Sequence, residues 1–445
     1  MNRIQKKIAL LYWLCAVSCI GTMAQSPGKV SAYVGVHIVP MDREHIIENQ
    51  TVLIRDGKIL EIGDVNSVKI PEEATVVDLK GMFMMPGLAD MQATLPEGAP
   101  IQIGRDDYLK MNIIRGVTTL RSMHGNHSQL AWRDSIDLHL LLGPHLFLTS
   151  PALPSELNYK QGCALLEQYK KEKYDFVKYE YPLRASLYDS LLAFAVQINM
   201  KIAGNVPAGG IAAAAMNKQA SLEHLEPFLE EYKQDTARFL ENIQALAAAG
   251  VYVCPDFQWY YVNWEQLWPA QLKVKPGMNM LPHQVVSAWI GSYQKEYAEA
   301  AGKDKPSYLR KKNERGRELM VGMKLLKMME EEGVPLMVSA GEGAFIVPGF
   351  SMLDECRNFN DAGITPYQTL RAATVNAASF FGQSSVWGTV SKGKRADLLI
   401  LEENPLLSIE SLDKIKGVVL NGTWYPKEEL ERIQAEIIAK NQPGK

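Results

Sequence analysis

Cysteine is scarce in this chain, and the few cysteines cannot hold it together. Only five occur among 445 residues, and two of them lie in the apolar N-terminal segment. The other three, Cys163, Cys254 and Cys356, are odd in number and widely spaced, which excludes a disulfide framework. No C-x-x-C pair occurs, so the sequence gives no indication of a cysteine-based metal site.

The chain also lacks an excess of either charge and the glycine-rich loops that hold nucleotides. Its formal net charge is -3, which offers no basic surface for nucleic acid or for an anionic membrane. Neither G-x-G-x-x-G nor a Walker-type loop occurs, and no G-x-S-x-G motif marks a serine nucleophile. The sequence therefore disfavours nucleotide-dependent enzymes and serine hydrolases.

A long hydrophobic run is found only at the N-terminus. Arg3, Lys6 and Lys7 precede an almost wholly apolar stretch at 8–20, and a plausible cleavage point follows at 22–24. This order predicts a signal peptide over residues 1–24 and an exported, periplasmic or extracellular protein with no membrane span. An alternative takes 16–19 as a lipoprotein cleavage box, with a lipid anchor on Cys19.

Patterns typical of β-structure occupy both ends of the mature chain. Asp56-Gly57 and Asn421-Gly422 each separate two apolar-rich segments, which predicts β-hairpins, because these pairs tolerate the positive φ angles of a type I′ turn. Neither end alone makes a convincing core. We therefore predict one small β-sandwich built from residues 27–85 and 385–426, followed by a C-terminal helix and tail at 427–445.

Between the two ends, short apolar runs alternate with segments of helical periodicity. The runs lie at 116–120, 145–149, 175–179, 201–204, 221–225, 251–255 and 335–340. Strands that alternate with helices imply parallel β/α units, and their number predicts an α/β fold, a (β/α)8 TIM-like barrel over residues 86–384. An open, doubly wound sheet is the competing architecture, but its glycine loop is missing.

Ordered motifs along the mature chain carry a resemblance to a known family. They are PGLAD at 86–90, RGVTTLRSM at 115–123, SLEHLE at 221–226, PGFSMLDE at 348–355, DAGITP at 361–366, AATVNAASFFG at 372–382 and GTVSKGKRADLLIL from 388. With them the chain resembles the amidohydrolase superfamily, in its imidazolonepropionase-like and prolidase-like branch. The resemblance implies one or two divalent metals at the carboxyl-terminal mouth of the barrel and a metal-activated water that attacks an amide-type carbonyl.

Carried over one residue at a time, most of the family's metal ligands are replaced. Two of the six positions match, the strand-four lysine at Lys178 and the strand-six histidine at His224. The other four, a His-x-His pair, the strand-five histidine and the strand-eight aspartate, fall in that order on Gln92, Thr94, Asn205 and Gly341. Amides and hydroxyls are poor zinc ligands, so the resemblance implies weak metal binding and no bound cofactor.

Two features leave room for a rebuilt site. His124 and His127 follow the second barrel strand and belong at the same mouth, where they and His224 would hold one zinc or other divalent metal. The simpler interpretation is that His124 and His127 are turn residues that face the solvent. Glu342 follows the lost aspartate, but a shift of one residue at a strand end turns a side chain to the opposite face, so we expect a weak substitute.

Two functions are therefore left open. The first is an exported, metal-poor homologue of C–N bond hydrolases that keeps its barrel as a binding module for a small molecule. The second is an active metal-dependent hydrolase of small cyclic amides or dipeptides with a rearranged single-metal site. Six aromatic residues at 257–268 predict either an aromatic lid over the mouth or a segment that packs on the barrel or on another subunit. Assembly into a homo-oligomer also stays open.

Overall fold

The computed structural model describes residues 29–96 and 103–441. The predicted signal peptide and the alternative anchor Cys19 lie outside these residues. The strands, in chain order, are Val30–Ile38 (β1), Ile47–Arg55 (β2), Lys58–Asp64 (β3), Thr75–Asp78 (β4), Phe83–Pro86 (β5), Leu88–Ala93 (β6), Val117–Ser122 (β7), His145–Leu148 (β8), Phe176–Tyr179 (β9), Lys201–Gly204 (β10), Ser221–Glu223 (β11), Tyr252–Cys254 (β12), Leu398–Leu401 (β13), Ile415–Leu420 (β14) and Thr423–Pro426 (β15).

Most of the helices follow barrel strands. In chain order they are Arg105–Ile114 (α1), His127–Asp137 (α2), Tyr159–Lys171 (α3), Ala185–Gln197 (α4), Gly210–Asn217 (α5), Glu226–Gln234 (α6), Thr236–Ala249 (α7), Phe257–Asn263 (α8), Pro269–Lys273 (α9), His283–Glu331 (α10), Phe350–Asp361 (α11), Pro366–Ala372 (α12), Val375–Phe380 (α13) and Lys427–Asn441 (α14). Short 3₁₀ turns lie at Met278–Met280 and Ile409–Asp413.

Strands from both ends of the described chain form one sheet in the order β15-β14-β13-β5-β1-β2-β3, with β4 paired to β1. Both predicted hairpins are present, with Arg55 opposite Lys58 and Leu420 opposite Thr423. All four central turn residues have positive φ, from 50° to 77°, as type I′ turns require. The turns also meet, because a Cβ on Gly422 would lie 2.9 Å from the Gly57 Cα.

Seven parallel strands and the segment 336–340 form a ring. β6, β7 and β8 pair in one group and β9, β10, β11 and β12 in another, and Thr149 pairs with Phe176 to join the two groups. Val253 pairs with Leu336, and the Met91 N–H donates to the Val338 carbonyl at 3.1 Å, which links the eighth segment back to β6. The predicted barrel, with its sheet from both chain ends, is confirmed.

The longest helix, α10, bends at Asp304, whose φ of −157° and ψ of 88° are not helical. Pro306 follows closely and removes a backbone donor from the helix, which is the usual cause of such a bend. Beyond the bend, Gly322 lets α10 approach the barrel, because a Cβ there would lie 2.6 Å from a Leu225 methyl group. Within residues 29–96 and 103–441, no helix has the length and apolar character needed to cross a membrane.

Candidate functional site

The six positions taken from the family lie where barrel strands end. Gln92 is in β6 and Lys178 in β9, while Thr94, Asn205, His224 and Gly341 each directly follow a strand of the ring. All six are at the carboxyl-terminal face, at which TIM barrels carry their functional groups. The alignment therefore places them at one end of the barrel, although their side chains do not all meet.

His224 is held by a carboxylate that the sequence analysis did not single out. Asp256 follows β12, and its Oδ2 lies 2.9 Å from His224 Nδ1 and accepts a 3.0 Å hydrogen bond from Gln92 Nε2. Burial alone would lower the pKa of His224, but the charge and hydrogen bond of Asp256 outweigh burial and raise it above its usual value. Asp256 and Gln92 are buried, whereas 35% of the His224 side chain is exposed at the mouth.

Gly341 is a glycine for two structural reasons. Its φ of +76° belongs to the left-handed region, and a Cβ there would lie 2.9 Å from the Trp259 Cβ and 3.1 Å from Asp256 Oδ2. The Asp256 carboxylate therefore stands beside the space that a side chain at position 341 would need. The resemblance places the family's strand-eight aspartate at position 341, and a carboxylate from the neighbouring strand lies next to this position.

Among the described residues, Lys178 and Asn205 make no hydrogen bond to His224. The backbone N–H of Lys178 donates to Ser150 Oγ at 3.3 Å, and Asn205 Nδ2 donates to the Glu180 carbonyl at 2.9 Å. Lys178 is still close enough for its charge to oppose the raised pKa of His224.

The two loop histidines have different surroundings. His124 is half-exposed, and its Nδ1 lies 3.6 Å from Glu342 Oε1. His127 is the first residue of α2 and is exposed. Across residues 29–96 and 103–441, no group of three or more His, Cys, Asp or Glu side chains is arranged to hold a metal ion.

A fully buried ion pair lies inside the barrel, close to the mouth cluster. Arg121 of β7 donates from Nη2 to Glu223 Oε2 at 2.8 Å and from Nη1 to Ser221 Oγ at 2.9 Å. Both charged side chains are 0% exposed, and the guanidinium also lies 4.9 Å from the Phe380 ring centroid. Glu223 directly precedes His224, so this pair anchors the strand end that presents the histidine.

Another buried carboxyl group fixes the segment that carries Asp256. Glu355 of α11 accepts hydrogen bonds from the backbone N–H groups of Phe257 at 2.9 Å and Gln258 at 2.6 Å. These are orphan donors in the first turn of α8, and the two carboxyl oxygens satisfy them. Glu355 is thus a positioning residue for Asp256, which has φ of +41° immediately before the helix.

This carboxyl group predicts a measurable pH dependence of stability. Burial raises the pKa of Glu355 from 4.5 to about 8, although its backbone hydrogen bonds oppose the shift. Because the folded state holds a proton that the unfolded state releases, this contribution to stability is complete below pH 4.5 and lost as pH rises to about 8. We expect the urea midpoint to fall less steeply over this range in Glu355→Gln than in the wild type.

The exposed Glu403 supplies the control for that comparison. Glu403→Gln removes a carboxylate that is not buried, so it should keep the wild-type slope of urea midpoint against pH. A wild-type slope in Glu355→Gln as well would show that Glu355 is not the group that titrates in this range.

The aromatic segment at 257–268 packs mainly on the barrel core and covers little of the mouth. Phe257, Tyr260 and Trp264 are buried in the main core, and Trp268 is 40% exposed. Trp259 is the member nearest the cluster, since its Cβ approaches Gly341 and its Nε1 would lie 3.6 Å from a Cβ on Gly343. Residues 257–268 were predicted either to cover the mouth as a lid or to pack on the barrel or on another subunit. The three buried residues pack on the barrel, while Trp259 lies beside the mouth.

Comparisons with known proteins agree with this architecture. The family model described as "Amidohydrolase family" matches residues 83–425. Bottromycin amidohydrolase has a similar structure, with a TM-score of 0.71 and 18% identity over 93% of this chain and 90% of the other. A Xaa-Pro dipeptidase with bound methionine gives 0.67 and 17% over 89% and 100%.

A third similar structure is ochratoxinase from A. niger, with a TM-score of 0.65 and 15% identity over 90% of this chain and 96% of the other. No curated protein sequence matches significantly. At these identities the likeness between structures shows the fold alone, whereas the family model spans most of the chain. Together with the ring of strands, this match establishes that the chain belongs to the amidohydrolase family.

Proposed function

We propose that the protein is an exported member of this family that lacks the usual metal centre and uses the barrel mouth to bind a small molecule. The observation that carries the proposal is the donor set: within residues 29–96 and 103–441, no three or more His, Cys, Asp or Glu side chains are grouped so that they could hold a metal ion. The Asp256 carboxylate orients His224 through Nδ1 at 2.9 Å. Export rests on the sequence of residues 1–24.

The chemistry of the donors supports the same conclusion. Zinc sites use imidazole, thiolate or carboxylate donors, usually three or four of them around one point. The positions that correspond to the family's ligands hold Gln92, Thr94, Asn205 and Gly341 instead, and a carboxamide, a hydroxyl and a missing side chain do not fit that ion. We therefore assign no reaction step to a metal at these residues.

The competing function is an active, metal-dependent hydrolase of small cyclic amides or dipeptides. Structures with this fold include a Xaa-Pro dipeptidase and other named hydrolases, and the contact of His124 with Glu342 places one additional histidine beside a carboxylate. This function requires that His224 contribute its remaining ring nitrogen to a rearranged site. The two proposals differ in metal content, which can be measured directly.

The deciding experiment is metal analysis of the full-length protein after loading with zinc or manganese and removal of free ion. We expect far less than one ion per chain by plasma mass spectrometry, and no change on His224→Ala. His283→Ala, at the exposed start of α10, is the matched control. One ion per chain that His224→Ala abolishes and His283→Ala retains would overturn the metal-poor proposal.

A further inference from the structure

A small polar cavity lies beside the His224 cluster, on the other side of Gly341. Asp90, Thr94, Tyr108 and Glu342 supply its polar lining, and Gly341, Gly343 and apolar side chains complete the wall. Its volume of about 20 Å³ is room for one group the size of a water molecule. No basic side chain belongs to the described residues that line it.

The cavity contains hydrogen-bond acceptors without partners. Thr94 is 5% exposed, and its Oγ1 makes no hydrogen bond to any described residue. Oε2 of Glu342 is also inaccessible to solvent and has no partner among those residues. A buried polar atom left in this state costs about 1–3 kcal/mol, so two around one cavity call for an occupant that supplies donors.

The lining also carries negative charge. Asp90 is buried, and Ser339 Oγ and the Gln92 N–H both donate to its Oδ1, at 2.5 and 3.2 Å. Glu342 lines the cavity as well, so two acidic side chains belong to its wall. A small, positively charged group with several donors would suit this lining.

The position of Glu342 explains why two carboxylates meet here. Glu342 follows Gly341, whose φ of +76° lies in the left-handed region. It lines the cavity with Thr94, and 36% of its side chain is exposed. Glu342 thus forms the solvent side of the cavity, through which a ligand group would enter.

We propose that this cavity receives the primary ammonium group of a small ligand bound at the barrel mouth, a refinement that rests on the proposed binding function. An ammonium group has three donors, and Asp90, Thr94 and Glu342 line the cavity with oxygen acceptors. Hydrogen bonds of this kind, with charge on the donor and on two acceptors, are the strong ones in proteins. A magnesium ion fits less well, because it demands six oxygens at about 2.1 Å in octahedral geometry.

The test is calorimetric titration of the full chain at pH 7 with propylammonium chloride. We expect saturable binding that 1-propanol, the neutral compound of similar shape, does not reproduce. Tetramethylammonium, a cation without N–H donors, should not bind either. Binding of calcium or magnesium chloride in place of propylammonium would overturn the assignment to an amine, as would equal heats from propylammonium and 1-propanol.

Two variants locate the binding, and one serves as the control. Glu342→Gln removes one charge and Thr94→Val removes the unpartnered hydroxyl at nearly constant shape, so each should weaken propylammonium binding about tenfold, corresponding to about 1.4 kcal/mol. Glu403→Gln, an exposed carboxylate outside the cavity, should bind as the wild type does. Unchanged affinity in both cavity variants would overturn the proposal.

Metal content measured on the same samples separates this inference from the proposed function. Stoichiometric zinc lost on His224→Ala would overturn the metal-poor function whatever the amine does. Metal-free protein that fails to bind propylammonium would overturn only the ammonium site.

Discussion

Replacing Arg121 by methionine should lower the free energy of unfolding by about 3–5 kcal/mol, because the substitution leaves the buried Glu223 carboxylate without its cationic partner. Both side chains are 0% exposed, so water cannot take the place of the guanidinium. Ser221 loses a hydrogen-bond partner as well. Urea denaturation followed by circular dichroism measures the loss.

The surface offers a matched control for that prediction. Arg432 pairs with Glu429 and Glu436 on α14, and more than half of its side chain is exposed. Arg432→Met should leave the urea midpoint unchanged, because exposed pairs contribute little to stability. Equal effects of Arg121→Met and Arg432→Met would contradict the burial of the internal pair.

Introducing a side chain at Gly341 should be costly because of the Asp256 carboxylate beside it. Asparagine is a fair probe, since it tolerates positive φ better than other non-glycine residues and adds no charge. Its Cβ would lie 3.1 Å from Asp256 Oδ2 and 2.9 Å from the Trp259 Cβ. We expect Gly341→Asn to lose about 1–3 kcal/mol of stability from crowding.

Two further variants separate crowding from backbone strain. Gly250 has a similar φ of +69°, but nothing lies within 4 Å of a Cβ there, so Gly250→Asn reports strain alone and should cost much less. Adding Asp256→Gly to Gly341→Asn should restore part of the lost stability, as the two sites are coupled through one space. Purely additive effects in urea denaturation would mean that Asp256 does not occupy that space.

The fold could be predicted because its signals are local. Asp-Gly and Asn-Gly at both hairpins impose positive φ angles, and apolar runs at regular spacing identified the parallel strands, including the one at 335–340. These patterns depend on residues that are neighbours in the sequence, so they can be recognised without knowledge of the tertiary structure. Ring closure itself follows from strand number rather than from any single residue.

The site was less predictable because it depends on backbone direction at strand ends. Asp256 follows Cys254-Pro255, the end of an apolar run at the barrel mouth. Its position could have identified it as a site residue, but it is not one of the six family positions. Glu342 lines the cavity next to Gly341, whose positive φ departs from the strand conformation that a simple alternation rule assumes. Assignment of individual ligand positions from the motifs did not reveal which side chains would touch.

The pairing of β5 with β13 also constrains how the chain is made. Pro86 lies opposite Leu398. Strand β5 therefore cannot pair with β13 until nearly the whole polypeptide has left the ribosome. Contacts so distant along the chain form late and slowly. A nonsense codon upstream of residue 398 would leave the edge of Phe83–Pro86 bare, where a second truncated molecule can add a strand and begin an aggregate.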